Sequence, residues 1–173
     1  METKRVAVVG MTDVGKASII SRMVYGVFPS LLHPMFNEVS LLQKNDTLFE
    51  FHYTSGLSNS HAAALRNKTM QICDIILYVY SWDNPWSLRW LRSIIADHPR
   101  GVQAVLVCNK IDILGTDDET SVGNNYTESD MPHLFVSAKE DIKISHLLRK
   151  LSSIPLHKHI KQKESRNVCC EIL

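Results

Sequence analysis

Short apolar segments alternate along the chain with segments whose apolar residues recur at helical spacing. The apolar segments are Val6 to Val9, Leu48 to Tyr53, Ile75 to Tyr80, Ala104 to Val107 and His133 to Val136. Runs of this length predict strands, and their alternation with helical patterns is typical of a sheet whose strands are mostly parallel. The sequence therefore predicts an α/β fold.

One of these segments, Leu48 to Tyr53, alternates between aromatic and polar residues. Its two faces are Phe49, Phe51 and Tyr53 against Glu50 and His52. Such alternation favours a strand near an edge of the sheet, where one face is less covered. We expect a hairpin through Asn45-Asp46 to a partner strand around Val39 to Gln43.

Helical spacing predicts helices over Lys16 to Tyr25, His61 to Ile72, Pro85 to Ala96 and Asp141 to Ser153. The last helix carries an apolar stripe that should pack on the sheet, formed by Ile144, Leu147, Leu148 and Leu151. The polar stretch from Gly115 to Asp130 shows little periodicity, so we expect a loop with at most a short helix.

Composition indicates one domain with a tail. The chain has 173 residues, 45% of them hydrophobic, which suffices for a single core. We expect a domain over residues 1–155 and a flexible basic tail over 156–173.

The net charge of +1 gives no indication of a nucleic-acid partner. No apolar run approaches the roughly 20 residues that span a bilayer, and no secretion signal is expected. Cys73 and Cys108 are predicted to be reduced core thiols.

A glycine-containing loop follows the first strand and opens the first helix. It reads Gly10-Met11-Thr12-Asp13-Val14-Gly15-Lys16-Ala17-Ser18. Two glycines at this spacing let backbone N–H groups surround phosphate oxygens, and Lys16 supplies a positive charge. The motif normally continues with Ser or Thr, whose hydroxyl binds magnesium, but here Ala17 follows. Taken alone, the segment also fits an ordinary turn from strand to helix.

Two further motifs follow later strands. Asn109-Lys110-Ile111-Asp112 comes after the strand at Ala104, and Ser137-Ala138-Lys139 comes after the strand at His133. A carboxylate at a strand end can accept two hydrogen bonds from the guanine ring, which adenine cannot offer. Asp112 is therefore the candidate for base selection.

The order and spacing of these motifs resemble the small GTPases of the Ras superfamily over about Arg5 to Leu151. The resemblance implies the P-loop NTPase fold, with a mostly parallel six-stranded sheet, and GTP or GDP as ligand. It also implies that Lys110 packs along the base, that the Ala138 amide contacts the guanine oxygen and that Phe28 lies against the base. The implied nucleotide-binding set is Gly10, Asp13, Val14, Gly15, Lys16, Ala17, Ser18, Phe28, Gly56, Asn109, Lys110, Asp112, Ser137, Ala138 and Lys139.

The catalytic part of the family pattern is depleted. The positions for the magnesium ligands, their supporting Asp and the water-orienting Gln hold Ala17, Met35, Tyr53 and Leu57. None of the four supplies what magnesium or a hydrolytic water needs, so no catalytic residue is intact and magnesium is a doubtful cofactor. Gly56 remains, and its amide is expected to meet a terminal phosphate.

Nearby polar residues do not obviously compensate for these losses. One helical step should rotate Ser18 about 100° away from the phosphate site, and Asp13 is expected to face outward. We interpret three residues near Gly56 as exposed loop positions, namely Thr54, Asn59 and His61. Trp86 and Trp90 stand four residues apart, which favours packing on one helix face over a partner surface.

The tail ends in Cys170-Glu171-Ile172-Leu173, a prenylation box whose final leucine favours geranylgeranyl. Cys169 is a candidate for palmitoylation, and basic residues precede it at Lys158, Lys161, Lys163 and Arg166. These features predict anchoring at the cytoplasmic face of a membrane, with the plasma membrane favoured, and a cytosolic protein if the chain is unprenylated. A chance cysteine-containing terminus is the alternative.

Three functions fit the sequence. The first is a pseudo-GTPase that holds guanine nucleotide and presents its switch surface to effector or regulatory proteins. The second is a slow GTPase switch that a partner completes. The third is a scaffold that binds no nucleotide. The choice between a Ras and a Rho type of protein stays open.

Overall fold

The computed structural model describes residues 2–29, 39–114 and 131–156. The strands in these residues are β1 (Glu2–Val9), β2 (Val39–Lys44), β3 (Thr47–Tyr53), β4 (Ile75–Ser81), β5 (Gln103–Asn109) and β6 (His133–Phe135). Within the described residues they form one six-stranded sheet in the order β2-β3-β1-β4-β5-β6. The predicted loop from Gly115 to Asp130 lies outside these residues, as do Met35 and the tail.

The sheet is parallel except at one edge. β1 pairs in parallel with β3 and β4, and β5 pairs in parallel with β4 and β6. β2 pairs antiparallel with β3 through a turn in which Asn45 has a φ of 52°. The predicted α/β fold is therefore confirmed, and the sheet contains the hairpin expected from the alternating pattern.

Helices cover both faces of this sheet. They are α1 (Lys16–Tyr25), α2 (Ser60–Ile72), α3 (Pro85–Ile95) and α4 (Ile144–Ser153). Asn59, interpreted from sequence as an exposed loop residue, caps α2, because its side chain accepts a hydrogen bond of 2.8 Å from the Ala62 amide. Within the described residues, no helix has both the length and the apolar character that crossing a membrane requires.

The core has two layers because alternate residues of each strand point to opposite faces. On one face, Val6 and Val8 of β1 belong to a cluster that includes the predicted stripe of α4, Ile144, Leu147, Leu148 and Leu151. On the other face, Ala7 and Val9 pack in a cluster with Met70 of α2 and Leu91 of α3. Cys73 and Cys108 are buried in this second layer, where desolvation raises the pKa of each thiol to about 12.

Two elements begin more than one residue away from their predicted start. β1 begins at Glu2 rather than Val6, and its polar first half includes Lys4, whose side chain is buried. The Lys4 ammonium donates hydrogen bonds of 2.7 Å to the carbonyls of Ser152 and Ile154, so it satisfies the end of α4. α4 starts at Ile144, since Lys143 adopts a φ of 58° and cannot be helical.

Candidate functional site

The loop between β1 and α1 comes very close to neighbouring backbone and side chains. A Cβ atom at Gly10 would lie 2.3 Å from the Val79 carbonyl oxygen, so no side chain fits there. Gly15 has a φ of 88°, and a Cβ atom on it would lie 2.3 Å from Nδ2 of Asn109. Both glycines are therefore needed for the loop to keep its shape.

Lys16 begins α1 with its side chain turned back over this loop. It is 3% exposed, and its Nζ donates to the carbonyls of Gly10 at 2.9 Å and Met11 at 2.7 Å. Burial lowers the pKa of Lys16 to about 8, with Asp13 opposing that change and Arg66 adding to it. The ammonium group thus lies in a desolvated position, where a phosphate oxygen would stabilise its charge.

Asn109 connects the loop between β1 and α1, residues 10–15, to the other predicted motifs. We call this loop the phosphate loop. Its side chain is buried at the end of β5, and its Nδ2 donates a hydrogen bond of 3.0 Å to the Val14 carbonyl. Its Oδ1 accepts one of 3.1 Å from the Ala138 amide. The parallel strands β1, β5 and β6 all end at this edge of the sheet, so residues distant in sequence meet there.

Asp112 lies in a short 3-10 helix, Ile111–Ile113, that follows β5. Its Oδ1 accepts a hydrogen bond of 2.6 Å from the Ser137 hydroxyl, and its Oδ2 lies 3.9 Å from Nζ of Lys139. The loop that carries Ala138 and Lys139 is held in turn by Arg22, which donates to both of their carbonyls at 3.0 and 2.8 Å. These contacts fix the orientation of the Asp112 carboxylate and leave lone pairs on its oxygens that can accept further hydrogen bonds.

Lys110 takes a left-handed backbone conformation, with a φ of 65°, between β5 and the 3-10 helix. Its Nζ forms an ion pair of 2.9 Å with Asp83. Lys110 also lines the cavity, and its packing along a base stays a prediction.

A cavity of about 380 Å³ joins these features, within the size range typical of small-molecule sites. Its lining contains most of the predicted set, namely Asp13, Gly15, Lys16, Ala17, Ser18, Phe28, Asn109, Lys110, Asp112, Ala138 and Lys139. Four predicted residues lie outside the lining, namely Gly10, Val14, Gly56 and Ser137. Tyr53 and Ile113 also line the cavity, although sequence reasoning assigned neither to nucleotide contact.

Two positions of the lining at which the family pattern places magnesium-binding groups hold residues that do not suit the ion, Ala17 and Tyr53. Ala17 offers a methyl group, and Tyr53 offers an aromatic ring, 38% exposed, whose phenol pKa is raised, mainly by desolvation. The Lys16 ammonium lies 5.2 Å from the centre of that ring. Magnesium binds hard oxygen ligands in octahedral geometry, which a methyl group and a neutral phenol beside an ammonium do not supply.

Three residues near the phosphate loop differ from their predicted placement. Asp13 was expected to face away, but it lines the cavity, and its charge acts on both Lys16 and Tyr53. Ser18 also lines the cavity despite its position one helical step beyond Ala17. Thr54, interpreted as an exposed loop residue, is buried, and its hydroxyl donates a hydrogen bond of 2.8 Å to the Val8 carbonyl.

The loop after β3 lies directly on the phosphate loop. Gly56 is buried, and a Cβ atom on it would lie 2.2 Å from the Thr12 amide nitrogen and 2.8 Å from the Gly10 carbonyl oxygen. Leu57 follows with its side chain 52% exposed. The glycine thus permits a close backbone contact that any side chain would prevent.

The expectation that Trp86 and Trp90 pack on one helix face is wrong. Trp86 is 66% exposed and stacks under Arg89, whose Cζ lies 4.7 Å from the ring centre. Trp90 is half-buried against Arg66 of α2. The two rings contact different partners because Trp86 lies at the exposed start of α3.

Comparison with known proteins gave one family. A sequence model of the Ras family matches residues 5–155 of the chain. No curated protein matched. The matched range contains the phosphate loop, the loop after β3 and both of the loops that hold Asp112 and Ala138.

Proposed function

This chain belongs to the Ras family of GTP-binding small GTPases, and we propose that it is a guanine-nucleotide-binding interaction module with little or no intrinsic GTP hydrolysis. One observation carries the proposal. The Lys16 ammonium packs against the Tyr53 ring in a cavity that is lined by most of the residues predicted to contact a nucleotide. We therefore expect the protein to bind guanine nucleotide, although Ala17 and Tyr53 replace residues that would help to hold a metal ion.

Three groups support binding at the two ends of the cavity. The Asp112 carboxylate, oriented by Ser137, suits the paired N–H donors of guanine. At the other end, the start of α1 and the desolvated Lys16 ammonium suit phosphate oxygens. Asn109 fixes the separation of these ends, since it bonds to Val14 on one side and Ala138 on the other.

The absence of efficient hydrolysis follows from the side chains around the phosphate end. Phosphoryl transfer depends on positioning and on charge neutralisation, which magnesium normally supplies. Ala17 and Tyr53 provide no suitable metal ligand, and Leu57 has no polar group with which to orient water. Asp13 and Ser18 also line this end of the cavity, but neither occupies a position at which the family pattern places a magnesium ligand or the water-orienting residue.

The experiment is to identify the nucleotide retained on the purified protein and then to follow one turnover of bound GTP with magnesium and with EDTA. We expect bound guanine nucleotide and GTP that stays intact under both conditions. Magnesium-dependent hydrolysis that is lost in Lys16→Ala would instead favour the slow enzymatic switch. A protein free of nucleotide that also fails to bind added GTP would favour the scaffold.

We place partner binding on the surface around β2, the loop after β3 and α2. Exposed apolar side chains lie on these elements at Leu41, Leu57 and Leu65, each more than half exposed. Such residues favour association with another protein when they lie close together on a surface. Effector or regulatory proteins of the family are the expected class of partner.

We also propose that the Cys170-Glu171-Ile172-Leu173 motif is geranylgeranylated at Cys170 and that Cys169 is palmitoylated, which would anchor the protein at the cytoplasmic face of the plasma membrane. Intact mass measurement on protein from eukaryotic cells tests this directly. Cys170→Ser should abolish the lipid mass and leave the protein cytosolic, whereas Cys73→Ser, at a buried thiol, should leave the modification unchanged.

A further inference from the structure

Arg66 lies in the middle of α2 and is 4% exposed. Its guanidinium Cζ lies 5.0 Å from the centre of the Trp90 ring, and its Nη1 donates a hydrogen bond of 3.2 Å to the Leu57 carbonyl. Trp90 in turn donates from Nε1 to the Ser58 hydroxyl at 3.2 Å. The guanidinium is therefore fixed directly behind the loop that follows β3.

The charge of Arg66 is not neutralised within the part of the chain that the structure describes. No described carboxylate forms an ion pair with it, and its Nε is buried without a hydrogen-bond partner. Burial lowers the pKa of this guanidinium, which nevertheless stays protonated because arginine titrates far above neutral pH. A buried cation without a paired anion is costly, so an anion bound nearby would be stabilised by the charge of Arg66.

Arg66 does not line the cavity that contains Lys16 and Asp112, but it lies close to the loop between β1 and α1. Leu57, which accepts its hydrogen bond, directly follows Gly56, and Gly56 is in contact with the backbone of Met11 and Thr12. With consecutive Cα atoms 3.8 Å apart, the guanidinium lies on the order of 10 Å from the phosphate loop. The same proximity is visible at Lys16, whose pKa is lowered in part by the charge of Arg66.

We infer that Arg66 is a specificity-determining residue, a fixed positive charge that favours the terminal phosphates of the bound nucleotide where a metal ion would otherwise do so. This inference rests on the proposed function. Arg66 would act through space across the Gly56 backbone rather than by direct contact. Its effect should therefore increase with the number of phosphates and decrease with salt concentration.

A structural role is the competing explanation, because Arg66 also joins α2 to Trp90 and to the loop after β3. Loss of a structural contact would weaken every ligand of the cavity to a similar degree. Loss of a through-space charge would weaken GTP more than GDP and GDP more than GMP. A series of nucleotides that differ only in phosphate number separates the two roles.

The experiment is calorimetric titration of the full-length, nucleotide-free protein with GMP, GDP and GTP in EDTA, at low and high salt. The variants are Arg66→Met and Arg66→Lys, and Arg89→Met is the matched control. Arg89 makes the same kind of stack, on Trp86, but on an exposed face of α3. Thermal unfolding of each variant verifies that it is folded.

We expect Arg66→Met to reduce GTP affinity about tenfold at low salt while changing GMP affinity little, an estimate from unit charges about 10 Å apart at an effective dielectric near 20. Arg66→Lys should keep most of the preference, and Arg89→Met all of it. Equal losses for the three nucleotides, no loss in Arg66→Met, or an Arg66→Lys variant as weak as Arg66→Met would each overturn the inference. Failure of the unaltered protein to bind any guanine nucleotide would contradict the proposed function itself.

Discussion

The Nζ atom of Lys16 lies 5.2 Å from the centre of the Tyr53 ring, inside the cavity that is also lined by Asp112 and Ala138. An ammonium over an aromatic face is attracted by about 0.5–2 kcal/mol, depending on desolvation. Two backbone carbonyls hold the same ammonium, those of Gly10 and Met11. The phosphate-loop lysine is thus positioned by an aromatic ring and the loop itself, without a metal-linked carboxylate.

Restoring oxygen ligands should restore a response to magnesium. Ala17→Ser together with Tyr53→Asp supplies a hydroxyl and a carboxylate, the donors that magnesium prefers. In titrations with a fluorescent GDP, we expect the double variant to bind at least about tenfold more tightly in magnesium than in EDTA. A tenfold change corresponds to about 1.4 kcal/mol, which a magnesium ion that bridges protein and phosphate oxygens would supply. Leu57→Gln adds no metal ligand and serves as the control, which should bind equally under both conditions.

Nucleotide affinity should fall as the pH rises through the pKa of Lys16. In the free protein burial lowers this pKa to about 8, and a bound phosphate would raise it again. The complex then holds more protons than the free protein above about pH 8, so affinity should drop by up to tenfold per pH unit there. Guanosine shares the base but lacks phosphates, so its affinity should not show this additional slope. A GDP affinity that follows guanosine would contradict the assignment.

Asp13 should weaken binding, because it lines the phosphate end of the cavity and its negative charge acts on Lys16 there. Asp13→Asn keeps a side chain that tolerates the φ of 62° and removes the charge. We expect GTP affinity to rise about threefold to tenfold at low salt, with a smaller gain at high salt. The matched control is Asp141→Asn, at an exposed residue with a φ of 57°. If GTP affinity rose equally in both variants, the change in the net charge of the protein would explain the effect, and the position of Asp13 would not matter.

Gly15→Ala should lower the free energy of unfolding more than the same change at Gly101, another glycine with a positive φ. Gly101 has a φ of 78° and open space around it, so Gly101→Ala should lose only about 1–2 kcal/mol of unfolding free energy to strain. At Gly15 the new Cβ would displace Nδ2 of Asn109, which bonds to Val14. Denaturant unfolding should show the larger loss in Gly15→Ala, which alone should also lose nucleotide binding. Equal losses would contradict the role given to this contact.

Much of the fold could be predicted because runs of apolar residues, and apolar residues at helical spacing, indicate which side chains are buried. All residues of β4 are buried, and its run from Ile75 to Tyr80 was visible as a strand without any tertiary information. The first half of β1 was not, since Lys4 is polar and becomes buried only through carbonyls of α4 that lie far away in sequence. A polar residue that is satisfied by tertiary contacts gives no local signal.

The motifs predicted the residues that line the cavity better than they predicted the surroundings of those residues. Asp112, Asn109 and Lys16 line one cavity because parallel strands end at one edge of the sheet. Tyr53 was identified only as the loss of an aspartate, and its packing against Lys16 depends on the side-chain directions at the end of β3. Arg66 is separated from the phosphate loop by many residues of sequence, and no motif marks it.

Base recognition should depend on Asp112. Asp112→Asn exchanges an acceptor oxygen for a donor group, which suits xanthine better than guanine. Competition titrations should show weaker GDP binding and stronger binding of xanthosine diphosphate. Because Ser137 donates to Oδ1 of Asp112, Ser137→Ala is a useful companion, which should weaken GDP binding without favouring xanthine. Guanine binding that is unchanged in Asp112→Asn would remove the base assignment.

The most direct measurement is calorimetry of the nucleotide-free protein with GDP and GTP, carried out once in EDTA and once in magnesium. We predict clear binding of guanine nucleotides in both buffers, with affinities that differ by no more than about threefold, a difference below 1 kcal/mol. Binding that appears only in magnesium would contradict the replacement of the metal site by Lys16 and Tyr53. Binding in neither buffer would contradict nucleotide recognition altogether.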